Sequence, residues 1–228
     1  MDNAERWLSK TLGYSFSDAR LLQQALTHRS APGDSNERLE FLGDAVLDVV
    51  ISEALFHSLP DAPEGDLSRL RASLVRDTSL AGIAADLGIG DYLILGSGER
   101  KTGGHRRQSI LADALEALLG AVYLDSGFDT VAELVRRVFG AKLEDLPHAD
   151  ELRDPKTRLQ EWLQARGAAP PEYELVNVTG KAHQQRFEVR CQVPEEEATT
   201  GEGRSRRTAE QQSARRMLAR LTADQGDG

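Results

Sequence analysis

The chain of 228 residues is poor in cysteine, in aromatic residues and in long apolar runs, and each shortage removes a class of protein. A single cysteine, Cys191, cannot form an internal disulfide. Without a Cys/His cluster there is no case for zinc, and a thiol buried in a strand is the expectation. No stretch free of Asp, Glu, Lys and Arg exceeds eight residues, whereas a membrane-spanning helix needs about 20 apolar residues. The opening MDNAERWLSK lacks the basic and apolar segments of a secretory signal, so the expected location is the cytoplasm, with no membrane partner. An excess of basic residues is missing too: 28 Lys+Arg against 37 Asp+Glu leave a net charge of −9, which taken alone argues against a polyanionic partner. What remains is ordinary globular composition, 39% hydrophobic and 29% charged, on a chain long enough for one large or two modest domains.

The charge is unevenly spread. Residues 1–148 hold 15 basic and 23 acidic residues, a net −8, while 149–228 hold 13 and 14, a net −1. Within the second part, residues 204–220 carry six arginines against one acid, Glu210, so a positive face can exist on a nearly neutral domain. The first 140 or so residues read as successive amphipathic helices punctuated by Gly, Pro and Asp. The polar stretch over 140–155 reads as a linker, with the domain boundary near 148. Beyond it come a helical run over 156–166, the strand-like runs YELVNV and RFEVRCQV, a weak third strand through 195–202, and a helix over 206–221. The expected architecture is an all-α domain at 1–148 followed by a small α-β-β-β-α domain at 149–228, with its core at about 154–221.

Two predicted helices carry acids on one side. On a helical wheel, NERLEFLGDAVLDVV (36–50) places Leu39, Leu42, Val46, Val49 and Val50 on one stripe. Glu37, Glu40, Asp44 and Asp48 fall within roughly 80° opposite. Leu47 and Ile51 blur the acidic row, Phe41 lies beside the acids, and Asp34 with Glu37 resembles a capping box. The run SILADALEALLGAVYLD (109–125) puts Leu111, Leu115, Leu118 and Val122 on one face and Asp113 and Glu116 on the other. The small residues Ala117, Gly120 and Ala121 would let a second helix approach closely and bring the two acidic faces together. Such a carboxylate cluster suits a hard cation such as Mg²⁺, and the implied chemistry is phosphoryl hydrolysis. Taken singly, each row reads first as a solvated helix face.

Other signals are weaker. EGDLSRLRASLV (64–75) reads as a capped surface helix. The loop GSGERKTGGHRRQS (96–109) lacks the Lys-[Ser/Thr] of a nucleotide P-loop. It reads as a solvated connection, with phosphate contact through Arg106 or Arg107 as the alternative. His28 and His57 read as structural histidines.

Together these segments resemble bacterial ribonuclease III, an endonuclease that cleaves double-stranded RNA. NERLEFLGDAVLD (36–48) is similar to its signature, and EGDLSRLR (64–71) and ILADALEALLGAVYLD (110–125) resemble its next motifs in order. The resemblance implies that Glu40, Asp44, Asp113 and Glu116 bind metal, that Asp44 and Glu116 are central to catalysis, and that Glu37 and Glu64 line the same cleavage valley. Asp48 is peripheral in that family. It further implies a homodimer in which Phe41 plugs a cavity of the partner subunit, and a two-Mg²⁺ mechanism in which Mn²⁺ can substitute. Products would carry 5′-phosphate and 3′-hydroxyl ends with short 3′ overhangs, from ribosomal RNA precursors and other structured transcripts. The second half resembles a double-stranded RNA-binding domain, which reads A-form shape. Thr157, Gln160, Glu161 and Gln164 would face one minor groove and His183 a second, with Arg206 and Arg207 on the phosphates between. Glu210 stands where such domains often have a third lysine, which would weaken phosphate affinity. A binding module that does not cut, and a Mg²⁺-dependent phosphohydrolase of small molecules, are the competing classes. The full set of acids disfavours the first, and the C-terminal half disfavours the second.

Overall fold

A computed structural model describes residues 2–147, 152–181 and 184–223. The chain divides into two units, residues 1–149 and 150–228, so the boundary expected near 148 falls on residues outside the described set.

The first unit is helical: α1 (Asp2–Leu12), α2 (Ala19–Ala25), α3 (Glu37–Ser58), α4 (Glu64–Val75), α5 (Asp77–Asp86), α6 (Ser97–Lys101) and α7 (Gln108–Glu144). A lone parallel bridge, Thr27 to Ile94, is the only extended pairing among its described residues. α7 is broken at Gly127, where φ is +81°, a value that costs glycine little. Because α7 runs to Glu144, the first residues of the stretch read as a linker are helical. No described helix is long and apolar enough to cross a membrane.

α3 and α7 form the centre, with α2 and α5 against α7 and α4 against α3. α7 buries Leu111, Leu115, Leu118 and Val122 as expected, but also Ala112, Ala114, Ala117 and Leu119, so it is enclosed on nearly every side. The wheel reading of α3 needs correction. Val49, expected in the core, is 56% exposed, while Leu47 and Ile51 are fully buried. The acidic row therefore lies on the face turned toward α7, and farther along the helix the same face becomes Leu47, Ile51 and Leu55. The cause is a close crossing. A Cβ on Gly43 would overlap the Glu116 carbonyl, and one on Gly120 would overlap the Leu39 carbonyl, so only glycine at both positions lets the backbones meet. The capping box is also corrected: α3 begins at Glu37 with Asn36 as its N-cap, and Glu37 accepts from the Ser35 hydroxyl at 3.0 Å.

The second unit runs α8 (Pro155–Gln164), β1 (Glu172–Thr179), β2 (Arg186–Gln192), β3 (Thr199–Gly203) and α9 (Arg206–Ala223). Asp154 caps α8 by accepting from Lys156 N, and Pro155 occupies the first turn, where a missing N–H costs nothing. The strands form an antiparallel sheet in the order β1-β2-β3, with Tyr173, Cys191 and Thr199 in register. β3 lacks the apolar alternation of a half-buried strand because its buried face is glycine. A Cβ on Gly201 would overlap Ala209 and Ser213 of α9, and one on Gly203 would crowd Thr208 and Ala209. Leu159, Leu163, Cys191, Val193, Met217 and Leu221 fill the core, which makes Cys191 the buried strand thiol that was expected.

Candidate functional site

The crossing of α3 and α7 brings together the acids that the sequence separates by some seventy residues. Carboxylate oxygens of Glu40, Asp113 and Glu116 lie within 4.8 Å of one another, and all three side chains are half-buried. Asp44 stands one turn along α3, more exposed, and its charge acts on both Glu116 and Glu40.

Burial and the charge of neighbouring acids raise every member of the group. Glu116 is affected most: desolvation, then the charges of Asp44, Glu40 and Asp113, push its carboxyl up to about 8. Glu40 is raised by burial first, then by Asp113 and Glu37, against the opposing charge of Arg29. Asp113 is raised by burial and Asp77, with His28 and Arg29 acting the other way, and Asp44 by burial and Asp48. Carboxylates held this close, without enough cations to neutralise them, are under electrostatic strain that a bound cation relieves. The donors are all oxygens, which fits a hard divalent ion, so the cluster can hold a metal.

An open cleft of about 700 Å³ adjoins the cluster, and Glu37, Glu40 and Asp113 meet His28, Arg29 and Arg107 along it. Glu37 pairs with Arg29 at 3.5 Å. Arg107 is held by Glu99 at 2.7 Å, so of the two arginines proposed for the basic loop this one is internally paired. That loop contains α6 and a 3₁₀ turn at Gly104–Arg106, which matches no phosphate-binding P-loop. Glu64 opens α4, accepts from the Ser68 hydroxyl at 2.6 Å, and lines a separate cavity of about 350 Å³ with Ser52, Leu55, Phe56, Leu67 and Arg71. Asp48 stands 4.0 Å from Arg71. Phe41 is 79% exposed and shares an uncovered apolar stripe of α3 with Val49 and Phe56.

Sequence reasoning missed three neighbours of the cluster. Asp77 begins α5 after a turn and adds repulsion on Asp113 and Glu116, yet carries no periodic signal. His28, read as structural, does bond to Ser30, but its charge also acts on Asp113 from the cleft wall, beside Arg29. All three belong to turns or helix ends, where helical periodicity says nothing.

In the second unit Thr157, Gln160, Glu161 and Gln164 are all exposed on α8, and Glu161 pairs with Arg153 at 2.9 Å. Arg206 and Arg207 open α9 exposed to solvent, each beside an acid: Arg206 2.9 Å from Glu210 and Arg207 3.8 Å from Asp154. Glu210 also holds Lys156 at 2.6 Å, tying α8 to α9, so its place in the sequence has a structural reason beyond phosphate affinity. His183 lies outside the described residues. The loop that contains it leaves β1 through Gly180, where φ is +91° and a Cβ would overlap the Gln184 carbonyl.

Comparison with known proteins agrees with this division. Residues 18–143 match a family described as ribonuclease-III-like, and residues 155–221 match the double-stranded RNA binding motif. The chain is 54% identical to ribonuclease 3 of Methylococcus capsulatus over 223 residues, 97% of each chain. It is 52% identical to ribonuclease 3 of Pseudomonas aeruginosa over 227 residues, 99% of each. Among solved structures, the nuclease domain of ribonuclease III from Campylobacter jejuni is similar with a TM-score of 0.60 and 46% identity, covering 62% of this chain and 97% of that one. A second structure of that nuclease domain, described as flexible in a region involved in dimer formation, gives a TM-score of 0.58 at 47% identity, covering 59% of this chain and 95% of that one.

Proposed function

Because this chain belongs to the ribonuclease III family and is a double-stranded RNA endonuclease, we propose that it works as a Mg²⁺-dependent homodimer in which each subunit hydrolyses one RNA strand. The observation that carries this reading is the desolvated group of Glu40, Asp113 and Glu116, with Asp44 one turn away. Residues 1–148 form the catalytic and dimerisation domain, and residues 149–228 the RNA-binding domain.

Glu40, Asp44, Asp113 and Glu116 hold the metal, with Asp44 and Glu116 central to catalysis. A divalent ion held there supplies a Lewis acid for water activation and for the charge on the leaving 3′ oxygen. The four carboxylates fix where that charge is neutralised, and α3 and α7 hold them rigidly through the Gly43–Gly120 crossing. Glu37 lines the valley within one subunit, and Glu64, which opens onto the separate cavity of its own subunit, is assigned to the valley through the dimer. The products carry 5′-phosphate and 3′-hydroxyl ends with short 3′ overhangs, and Mn²⁺ substitutes for Mg²⁺.

The second copy seats itself on the α3 stripe. Phe41 enters the apolar cavity beside Phe56 and Leu67 of the partner, which accounts for an aromatic ring left 79% exposed next to a charged cluster. Thr157, Gln160, Glu161 and Gln164 of α8 read one minor groove and His183 a second. Arg206 and Arg207, the exposed members of their pairs with the half-buried Glu210 and Asp154, turn their remaining donors to the intervening phosphates. Structured transcripts such as ribosomal RNA precursors, in the cytoplasm, are the natural substrates. The test is to incubate the purified chain with long double-stranded RNA with and without Mg²⁺ and to analyse the ends. Metal-dependent fragments with 5′-phosphates support the proposal, and intact RNA in Mg²⁺ sinks it.

A further inference from the structure

The cleft wall that faces Glu40 and Asp113 is the turn of residues 26–31, which carries little regular structure and is nevertheless braced. His28 N donates to Ile94 O at 3.0 Å, Ile94 N donates to Leu26 O at 2.8 Å, and Asn36 N donates to Thr27 O at 2.8 Å. Gly96 closes against this turn so tightly that a Cβ there would overlap the Ser30 carbonyl. The bracing ends on the His28 ring. Gly96 N donates to Ser30 Oγ at 3.0 Å, which leaves the hydroxyl hydrogen free to point at His28 Nδ1, 2.8 Å away. Ser30 N donates to the same Nδ1 at 3.2 Å. Nδ1 is therefore an acceptor, and the neutral ring must carry its hydrogen on Nε2. No described residue accepts from Nε2. Beside it Arg29 is 72% exposed, and its pairing with Glu37 at 3.5 Å is long and easily exchanged.

A polyanionic strand approaching the carboxylates is repelled until a cation and local donors offset them, and this wall presents both across a cleft of about 700 Å³. Resting on the reading of the chain as an RNA-cleaving enzyme, we propose that His28 Nε2 and Arg29 bind a phosphodiester group of the strand lying beside the acidic cluster. Ser30 is the positioning residue that fixes the tautomer and direction of the imidazole. The donors hold the non-bridging phosphate oxygens and so set where the strand lies relative to Glu40 and Asp113.

The test uses the full chain and a defined RNA hairpin. His28→Ala should lower kcat/KM about tenfold, as loss of a hydrogen bond to a charged group does, without moving the melting temperature. His28→Gln, which keeps a donor at similar reach, should recover most of that loss. Ser30→Ala should cost several-fold in wild-type protein and nothing further in the His28→Ala background. In chelator, Arg29→Ala should reduce the slope of log affinity against log salt by about one. Wild-type rates in His28→Ala, no recovery with Gln, or losses that multiply between His28 and Ser30 would overturn the subsite. A wild-type chain that binds the hairpin but leaves it uncut in Mg²⁺ sinks the enzymatic reading instead, and the Arg29 salt slope still decides whether the wall contacts phosphate.

Discussion

At the scale of single residues, Glu116 concentrates the chemistry. Its carboxyl sits at about 8, against an ordinary value of 4.5, because burial and four neighbouring acids penalise the charge. A carboxyl raised in this way binds its proton more tightly in the folded state. Its contribution to stability is therefore full below pH 4.5 and is lost as pH rises through about 8. In chelator, the melting temperature should fall between pH 5 and pH 8 by more in the wild-type chain than in Glu116→Gln, and Mg²⁺ added at pH 8 should restore the wild type. Equal pH slopes in the two proteins would contradict the burial argument. Metal must displace that proton, so raising Mg²⁺ should shift the acid limb of the cleavage profile to lower pH. Glu116→Gln is expected to abolish cleavage and to leave RNA binding nearly intact, because the exposed surfaces of α8 and α9 are untouched. Mg²⁺-dependent cleavage by this variant would remove Glu116 from the site.

Between elements, the decisive contact is the one between α3 and α7. Gly43→Ala should cost at least about 1–3 kcal/mol of stability, since the added methyl meets the Glu116 carbonyl rather than a flexible side chain. It should also weaken metal-dependent cleavage by spreading the four acids, which a thermal melt and a Mg²⁺ titration would measure together. In the second unit, the start of α9 places Arg206 and Arg207 at the positive end of a helix dipole. Replacing both with Ala should flatten the slope of log affinity against log salt by roughly two and weaken binding evenly across RNA sequences. An unchanged slope would mean that their acidic partners, Glu210 and Asp154, keep both guanidinium groups off the phosphates.

For the whole molecule, dimerisation and division of labour are the issues. Phe41→Asp should weaken the dimer, because a charge would have to enter an apolar cavity without a partner. Sedimentation showing an unchanged dimer would refute that role. A fragment ending at 148 carries a net −8, so it depends on metal and a few cations such as Arg29 to meet RNA, and that attraction is screened within about 10 Å at 0.1 M salt. It should cut double-stranded RNA at low salt only. Inactivity under every condition, or equal cutting at high salt, would contradict the separation of cleavage from binding.

The sequence by itself determined the helical first unit and the order of the α-β-β-β-α unit, because periodicity is a property of local chain geometry, and its motifs carried the resemblance to the family; periodicity alone left the acidic rows open between a cluster and a solvated face. The sequence also pointed to close helix approach at Gly120. It misjudged the direction of the α3 face. Val49 and Leu47 differ little in hydrophobicity, so nothing local says which of them meets α7; the answer comes from Gly43, whose missing side chain matters only where another backbone crosses it. The same holds for β3, where glycine looks like a weak strand until α9 is laid against it. Asp77, His28 and Arg29 became neighbours of the cluster only in three dimensions, because they sit on turns and helix ends that the packing of α2, α5 and α7 brings together. The weakened acidity of Glu116 is likewise a tertiary property: desolvation and repulsion come from groups distant in sequence, and both vanish when the chain unfolds.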